Sequence, residues 1–182
     1  MPFTIWLKGE AVAKARNHSS LSSKKRRDYK GDSGMGDTKS GPIVYHPSVC
    51  SACGICEVVC SLWHEGEIGP ALARSNIIRD AFTAKHRHVI CLQCDDPGCY
   101  FACPNRDKAL CIDRATGVVF LNEDECDGCG LCIDACPFDP SRIKFNAGKK
   151  VAFKCDLCKG REEGPLCVEY CPFQALTFPK DV

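Results

Sequence analysis

Residues 49–60 read VCSACGICEVVC, and four of these positions are cysteines: Cys50, Cys53, Cys56 and Cys60. A hydrophobic core has no use for thiols at this density, so the run is a set of metal ligands, a disulfide framework or a redox device. The arrangement returns three times. CLQCDDPGCYFAC at 91–103 separates Cys91, Cys94, Cys99 and Cys103 by two, four and three residues, and CDGCGLCIDAC at 126–136 puts Cys126, Cys129, Cys132 and Cys136 back at two, two and three. CDLCKGREEGPLCVEYC at 155–171 stretches the middle step to eight residues, between Cys158 and Cys167, with Cys155 and Cys171 at its ends. Of the 17 cysteines only Cys111 falls outside this internal repeat.

The spacing selects a chemistry. Two tight Cys-x2-Cys steps let three thiolates of one loop reach three irons of a single cubane, and the small residues Ala52, Gly54, Gly128 and Gly130 let backbone approach the sulfides. The fourth cysteine of a group lies one helical turn further on, points away from its own loop and suits a neighbouring cluster, as in bacterial two-cluster ferredoxins. With Pro137, the third group matches Cys-x2-Cys-x2-Cys-x3-Cys-Pro in full, whereas the first has Ser61 after Cys60. Zinc sites pair two Cys-x2-Cys elements a dozen or more residues apart and need no third cysteine two residues later. The insertion KGREEGPL at 159–166 suits a zinc loop as well as a cluster loop, so three clusters plus a zinc stand beside four clusters.

Compartment follows from the thiols. MPFTIWLKGEAVAKARNHSS contains no apolar run of signal length, KKRR at 24–27 precedes no hydrophobic segment, and no stretch is long enough to span a bilayer. A cytoplasmic location is therefore expected, where clustered thiols stay reduced and bind metal. A formal net charge of +1 gives no reason to expect nucleic acid. Sixteen thiolates around four oxidised clusters of core charge about +2 would take the loaded protein to about −7.

Residues 1–41 are polar and free of cysteine, so they read as an N-terminal extension that does not fold alone: a tail, an upstream start preceding Met35, or an arm that docks on a partner. Residues 42–182 carry the quartets. KALCIDRATGVVFLNED is expected to fold as a β-hairpin turning at 114–117, and RIKFNAGKKVAFK as another turning at Ala147-Gly148. Each final x3 step should enter a short helix, stopped by proline at Cys103-Pro104, Cys136-Pro137 and Cys171-Pro172. Cys111 is expected to pack as a small apolar residue and His64 to be a hydrogen-bonded structural histidine. Trp63 is expected to pack near the first group, and His86 and His88 to flank Arg87 on a solvated edge. Glu123, Asp124 and Glu125 should lower the potential of the nearest cluster, and Lys154 should raise that of its neighbour.

With its cysteines laid out in this way, the stretch 42–180 resembles the four-cluster iron–sulfur subunits of molybdenum- and tungsten-pterin oxidoreductases, a family of duplicated ferredoxins. The resemblance implies an α+β fold, a duplicated bacterial-type ferredoxin with short helices and β-hairpins around paired [4Fe-4S] clusters. It also implies nested ligand pairing. Cys50, Cys53 and Cys56 would share a cluster with Cys171, and Cys155, Cys158 and Cys167 one with Cys60. Cys91, Cys94 and Cys99 would be completed by Cys136, and Cys126, Cys129 and Cys132 by Cys103. An outer pair would then occupy 42–75 with 150–182, and an inner pair 76–149. A shorter element, CSLWHEGEIGPALARSNI at 60–77, looks like the Cys-Ser-Leu-x-His-Glu-Gly segment of subunits paired with aldehyde-oxidoreductase-type tungsten enzymes, among them benzoyl-CoA reductase.

The function expected is electron transfer in an anaerobic hetero-oligomer, between a further donor or acceptor protein and a pterin-containing tungsten or molybdenum subunit. A free polyferredoxin shuttle is the alternative. The chain is not expected to be an enzyme on its own: each group is complete with four cysteines, and neither a Cys-x3-Cys-x2-Cys radical motif nor a Gly-x-Gly-x-x-Gly loop occurs.

Overall fold

Glycine and proline set the helices. In the computed structural model, which describes residues 41–179, α1 spans Ile55–Glu65, α2 Gly98–Ala102, α3 Leu131–Asp134 and α4 Leu166–Glu169. The expected extension 1–41 lies, apart from Gly41, outside the described residues. Left-handed glycines, Gly54 at φ 86° and Gly130 at φ 78°, precede α1 and α3, a conformation that costs glycine little. Pro97 and Pro165 precede the other two. Where Cys-Pro follows, the helix ends within five residues, because proline has no N–H to continue the ladder and clashes with the preceding turn. Ser61 lifts that block. Consequently α1 runs on to Glu65 and closes on Gly66, at φ 71°, whose N–H donates to the Leu62 carbonyl.

The strands form four two-stranded antiparallel pairs: β1 (Val44–Tyr45) with β8 (Leu176–Thr177), β2 (Asn76–Ile78) with β3 (Arg87–Val89), β4 (Leu110–Ile112) with β5 (Val119–Leu121), and β6 (Ile143–Asn146) with β7 (Val151–Lys154). Both expected hairpins are present. The Asp113 carboxylate accepts from the Ala115 and Thr116 N–H groups in the first turn, and the Asn146 side chain from Gly148 and Lys149 in the second. Such side-chain acceptors make a turn locally self-sufficient. The β2–β3 hairpin is an addition to the sequence reading; its turn is held by Asp80, which accepts from Phe82, Thr83 and the Thr83 hydroxyl.

Helices pair as α1 with α4 and α2 with α3. Two apolar clusters fill the interior. One gathers Ile43, Ile77, Ile90, Val118, Leu157 and Leu176 around Cys56, Cys91, Cys155 and Cys167; the other gathers Leu110, Val119, Ile143 and Ala152 around Cys132. Glu57 is buried with a purpose: its carboxylate accepts from the Ile77 N–H at 2.8 Å and from Arg79 Nη2 at 2.7 Å, fixing β2 to α1. A second ionic tie joins distant segments. Glu65 meets Arg74 at 3.5 Å and Lys149 at 2.6 Å, and Glu123 meets the same two cations at 2.8 and 3.4 Å. The architecture is α+β, a small domain of few helices and short antiparallel hairpins.

Candidate metal centre

The loops before the helices bring the thiols together across the chain. Cys50, Cys53 and Cys56 line one cavity with Cys171, which enters from the far end of the domain after α4. Cys91, Cys94 and Cys99 line another with Cys136. A third is walled by Cys126, Cys129 and Cys132 with Cys103. The first encloses about 340 Å³ of empty space, solvent at its mouth included. In the remaining quartet, Cys60 lies close enough to both Cys158 and Cys167 for charge repulsion between the sulfurs. Charge repulsion between sulfurs reaches from quartet to quartet, from Cys167 to Cys56, from Cys155 to Cys91 and from Cys132 to Cys99, and Cys56, Cys91, Cys155 and Cys167 share one apolar cluster. The quartets thus form a row in the order first, fourth, second, third, and the two exposed cysteines, Cys53 and Cys129, lie at its opposite ends.

The donor chemistry fits iron–sulfur clusters. Burial pushes the thiols of Cys56 and Cys132 up to about 12 and those of Cys99 and Cys158 up to about 11, with neighbouring sulfurs adding to the rise. Thiolates at these positions need a compensating metal charge. Backbone N–H groups already point at sulfur: Ala52 at Cys50 (3.4 Å), Arg74 at Cys60 (3.2 Å), Arg142 at Cys136 (3.3 Å), Leu157 at Cys155 (3.4 Å) and Ala175 at Cys171 (3.2 Å). Among the described residues no three His, Cys, Asp or Glu side chains converge on a point that would hold a single metal ion.

Each cavity has its own electrostatic lining. The second is faced by Arg142 and by Lys154, which is 2% exposed and donates through Nζ to the Val119 and Cys155 carbonyls. Asp127 lines the third, its carboxylate accepting from Asn105 at 2.8 Å. Of the three acids expected to act on this region, Glu123 is engaged by Arg74 and Lys149, which offset its charge. The first cavity has no charged side chain in its wall, where Tyr45, Ser51 and the ring of His88 stand among apolar residues.

Single residues depart from expectation in instructive ways. His88 is buried instead of lying on a solvated edge, because its register opposite Ile77 turns both side chains inward. Burial holds its imidazole down to about 4, so the ring is neutral. His86 is half-buried and accepts from the Asp80 N–H through Nδ1. Trp63 is half-exposed and stacks under the Arg161 guanidinium, 5.4 Å away, so it packs on the fourth group's insertion. Cys111 is only half-buried, with its thiol donating to the Lys108 carbonyl. His64 lies 3.5 Å from Asp156, in keeping with a structural role.

A family model described as a 4Fe-4S dicluster domain matches residues 83–181. The chain belongs to that family. Among curated proteins, this dicluster protein is 43% identical over 129 residues to the aliphatic sulfonate oxidoreductase, polyferredoxin-like subunit, of Pyrococcus furiosus, an alignment covering 71% of this chain and 70% of the relative. It is 32% identical over 152 residues to the electron transport protein HydN of Escherichia coli, covering 74% and 85% of the two chains. Among solved structures, the active site complex BamBC of benzoyl coenzyme A reductase has a chain that matches at a TM-score of 0.45 and 23% identity, over 75% of this chain and 76% of that one. Among the described residues no helix is long and apolar enough to cross a membrane.

Proposed function

We propose that the chain is an electron-transfer subunit of an oxidoreductase complex, passing electrons along four [4Fe-4S] clusters. They would run between a redox partner and a tungsten- or molybdenum-pterin catalytic subunit of the benzoyl-CoA reductase or aldehyde oxidoreductase type. The single observation that carries this reading is the gathering of sequence-distant cysteines around shared cavities, Cys171 with the Cys50 loop, Cys136 with the Cys91 loop and Cys103 with the Cys126 loop. Names of the relatives agree with it, and the element at 60–77 favours the tungsten partner. Spreading three of the quartets around cavities suits multi-iron clusters there better than tetrahedral zinc, in which four donors meet at one ion.

In this reading the ligand sets are Cys50, Cys53, Cys56 and Cys171; Cys155, Cys158, Cys167 and Cys60; Cys91, Cys94, Cys99 and Cys136; and Cys126, Cys129, Cys132 and Cys103. The domain is a duplicated ferredoxin, with an outer pair from 42–75 and 150–182 and an inner pair from 76–149. When bound, such clusters supply one-electron chemistry within roughly −700 to +450 mV. The protein does the rest. Backbone N–H groups donate to ligand sulfurs, apolar walls keep water out, and Lys154 and Asp127 set opposite local charges.

Anaerobic purification of the tagged chain tests the partner: a larger subunit retained at fixed stoichiometry and containing tungsten or molybdenum is expected. A stable monomer that exchanges electrons with several enzymes would establish the shuttle instead. The nesting has its own test, in which Cys60→Ala should perturb the EPR signal that Cys158→Ala perturbs and leave the one affected by Cys53→Ala. If Cys60→Ala and Cys53→Ala alter the same signal, the pairing is wrong.

A further inference from the structure

A lysine ammonium lies deep in the domain with no carboxylate beside it. Lys154 is 2% exposed, and its Nζ donates to the Val119 and Cys155 carbonyls. Among the described residues it forms no ion pair, whereas Arg74 and Arg79 each meet a glutamate, at 2.8 and 2.7 Å. Gln93, also buried, holds the same two backbones: its Nε2 donates to the Cys155 carbonyl at 2.9 Å, and its Oε1 accepts from the Val119 N–H at 2.9 Å. The two side chains thus close a polar ring over Val119 and Cys155. At the corresponding place in the other three loops, Ala52, Gly128 and Leu157 share the left-handed φ of Gln93 but carry no polar side chain.

In sequence Lys154 adjoins Cys155 of the fourth quartet, yet its side chain lines the second cavity together with Arg142. Its charge reaches the Cys99 sulfur, and that of Arg142 reaches Cys136 and Cys91. Burying a charge without a counter-charge is costly. Four thiolates around a core of about +2 carry about −2, which is the counter-charge that Lys154 otherwise lacks. The other quartets are set differently. The first cavity has no charged side chain in its wall, and the third has Asp127. Beside Cys60 of the fourth quartet, Arg74 is already paired with Glu65 and Glu123, and Asp156 opposes Lys144.

We propose that Lys154 makes the cluster of the second cavity the easiest of the row to reduce, and that Gln93 is the residue positioning its charge. The inference rests on the ligand assignment given above. A fixed positive charge favours the more negative, reduced form, and Coulomb attraction needs no N–H aimed at sulfur. The first electron to enter from either end is therefore held inside the row, beside the crossing from Cys155 to Cys91. No proton moves and no bond forms or breaks.

The test is an EPR-monitored redox titration of the full chain, with Lys154→Gln, Lys154→Met and Gln93→Met beside the unaltered protein, all checked for iron content. In the unaltered protein the first signal to appear on reduction should be the one that Cys94→Ala perturbs. Both Lys154 variants are expected to make that cluster about tenfold harder to reduce, which is 59 mV for a one-electron couple, and to leave the other three in place. Lys154→Gln keeps two amide N–H donors for the two carbonyls, so a purely structural role would spare it and shift Lys154→Met alone. Gln93→Met, which retains the ammonium, should move the same signal in the same direction by less; no shift there would overturn the positioning role of Gln93. A first signal that Cys94→Ala leaves untouched, a shift confined to Lys154→Met, or a shift in the signal that Cys158→Ala perturbs would overturn the role of Lys154 while leaving the four-cluster reading intact. Protein without cluster signals would overturn both.

Discussion

Gly128 shows how little room a cluster loop leaves its own backbone. At φ +67° it occupies left-handed space, and a Cβ there would lie 2.0 Å from the Lys150 carbonyl in the β6–β7 turn. Gly130, at φ +78°, has nothing within 4 Å of the same atom. Both pay the left-handed penalty of about 1–2 kcal/mol on gaining a side chain; only Gly128 must also displace backbone. Gly130→Ala is therefore expected to retain its iron with a loss of about 1–2 kcal/mol, whereas Gly128→Ala should cost about 3 kcal/mol or more and shed the third cluster. Iron content and guanidinium midpoints read the difference, and equal behaviour would show that the Lys150 turn yields. The sequence announces such glycines because ligand spacing is local. It is silent on Glu57 and His88: whether a polar side chain is buried depends on what lies opposite it, here β2, and three-residue strands leave no readable period.

Element boundaries follow from one proline position. Ser61, where the other groups have proline, lets α1 run eleven residues and supply Glu65, whose contacts to Arg74 and Lys149 reach the rest of the domain. The Ser61 hydroxyl also donates to the Val58 carbonyl and accepts from the Gly69 N–H, both at 3.1 Å, bending the following loop back on the helix. Ser61→Pro would restore the pattern of the other three groups. The structure predicts damage instead of improvement, since proline in a helix interior removes the N–H donation to the Glu57 carbonyl and costs about 3 kcal/mol. A lowered guanidinium midpoint and faster bleaching of the clusters are expected, and unchanged stability would mean that the last turns of α1 contribute nothing. The hairpins at 110–121 and 143–154 were legible because Asp113-Arg-Ala-Thr-Gly and Asn146-Ala-Gly are turn sequences with built-in acceptors. The β2–β3 pair escaped reading because eight residues separate its strands, and the turn is held by Asp80 at one end and His86 at the other instead of by a short turn motif.

At the scale of the molecule the elements are too small to hold themselves. No described strand exceeds four residues, three of the four helices have five or fewer, and isolated pieces of that size are marginal in water. Among the described residues, seven of the twenty-three buried apolar ones are cysteines of the quartets. Nearly a third of this interior is therefore thiol, and Cys56, Cys91 and Cys132 line open cavities. The closures that compensate include long ones: joining Cys171 to the Cys50 loop spans about 120 residues, and fixing such a loop removes about 5 kcal/mol of conformational freedom from the unfolded chain. Four ties of unequal length, if each quartet grips a cluster, exceed what the short hairpins contribute, and metal loading and folding are then expected to be one transition. Stripping iron anaerobically with a chelator under reducing conditions should therefore abolish most far-UV circular dichroism and leave a protease-sensitive chain over 42–182. Adding iron and sulfide should restore both. Retention of the secondary structure after complete iron loss would show that the apolar clusters around Ile77 and Leu110 suffice alone, and would remove the physical reason for burying thiols whose pKa values burial has already raised toward 12.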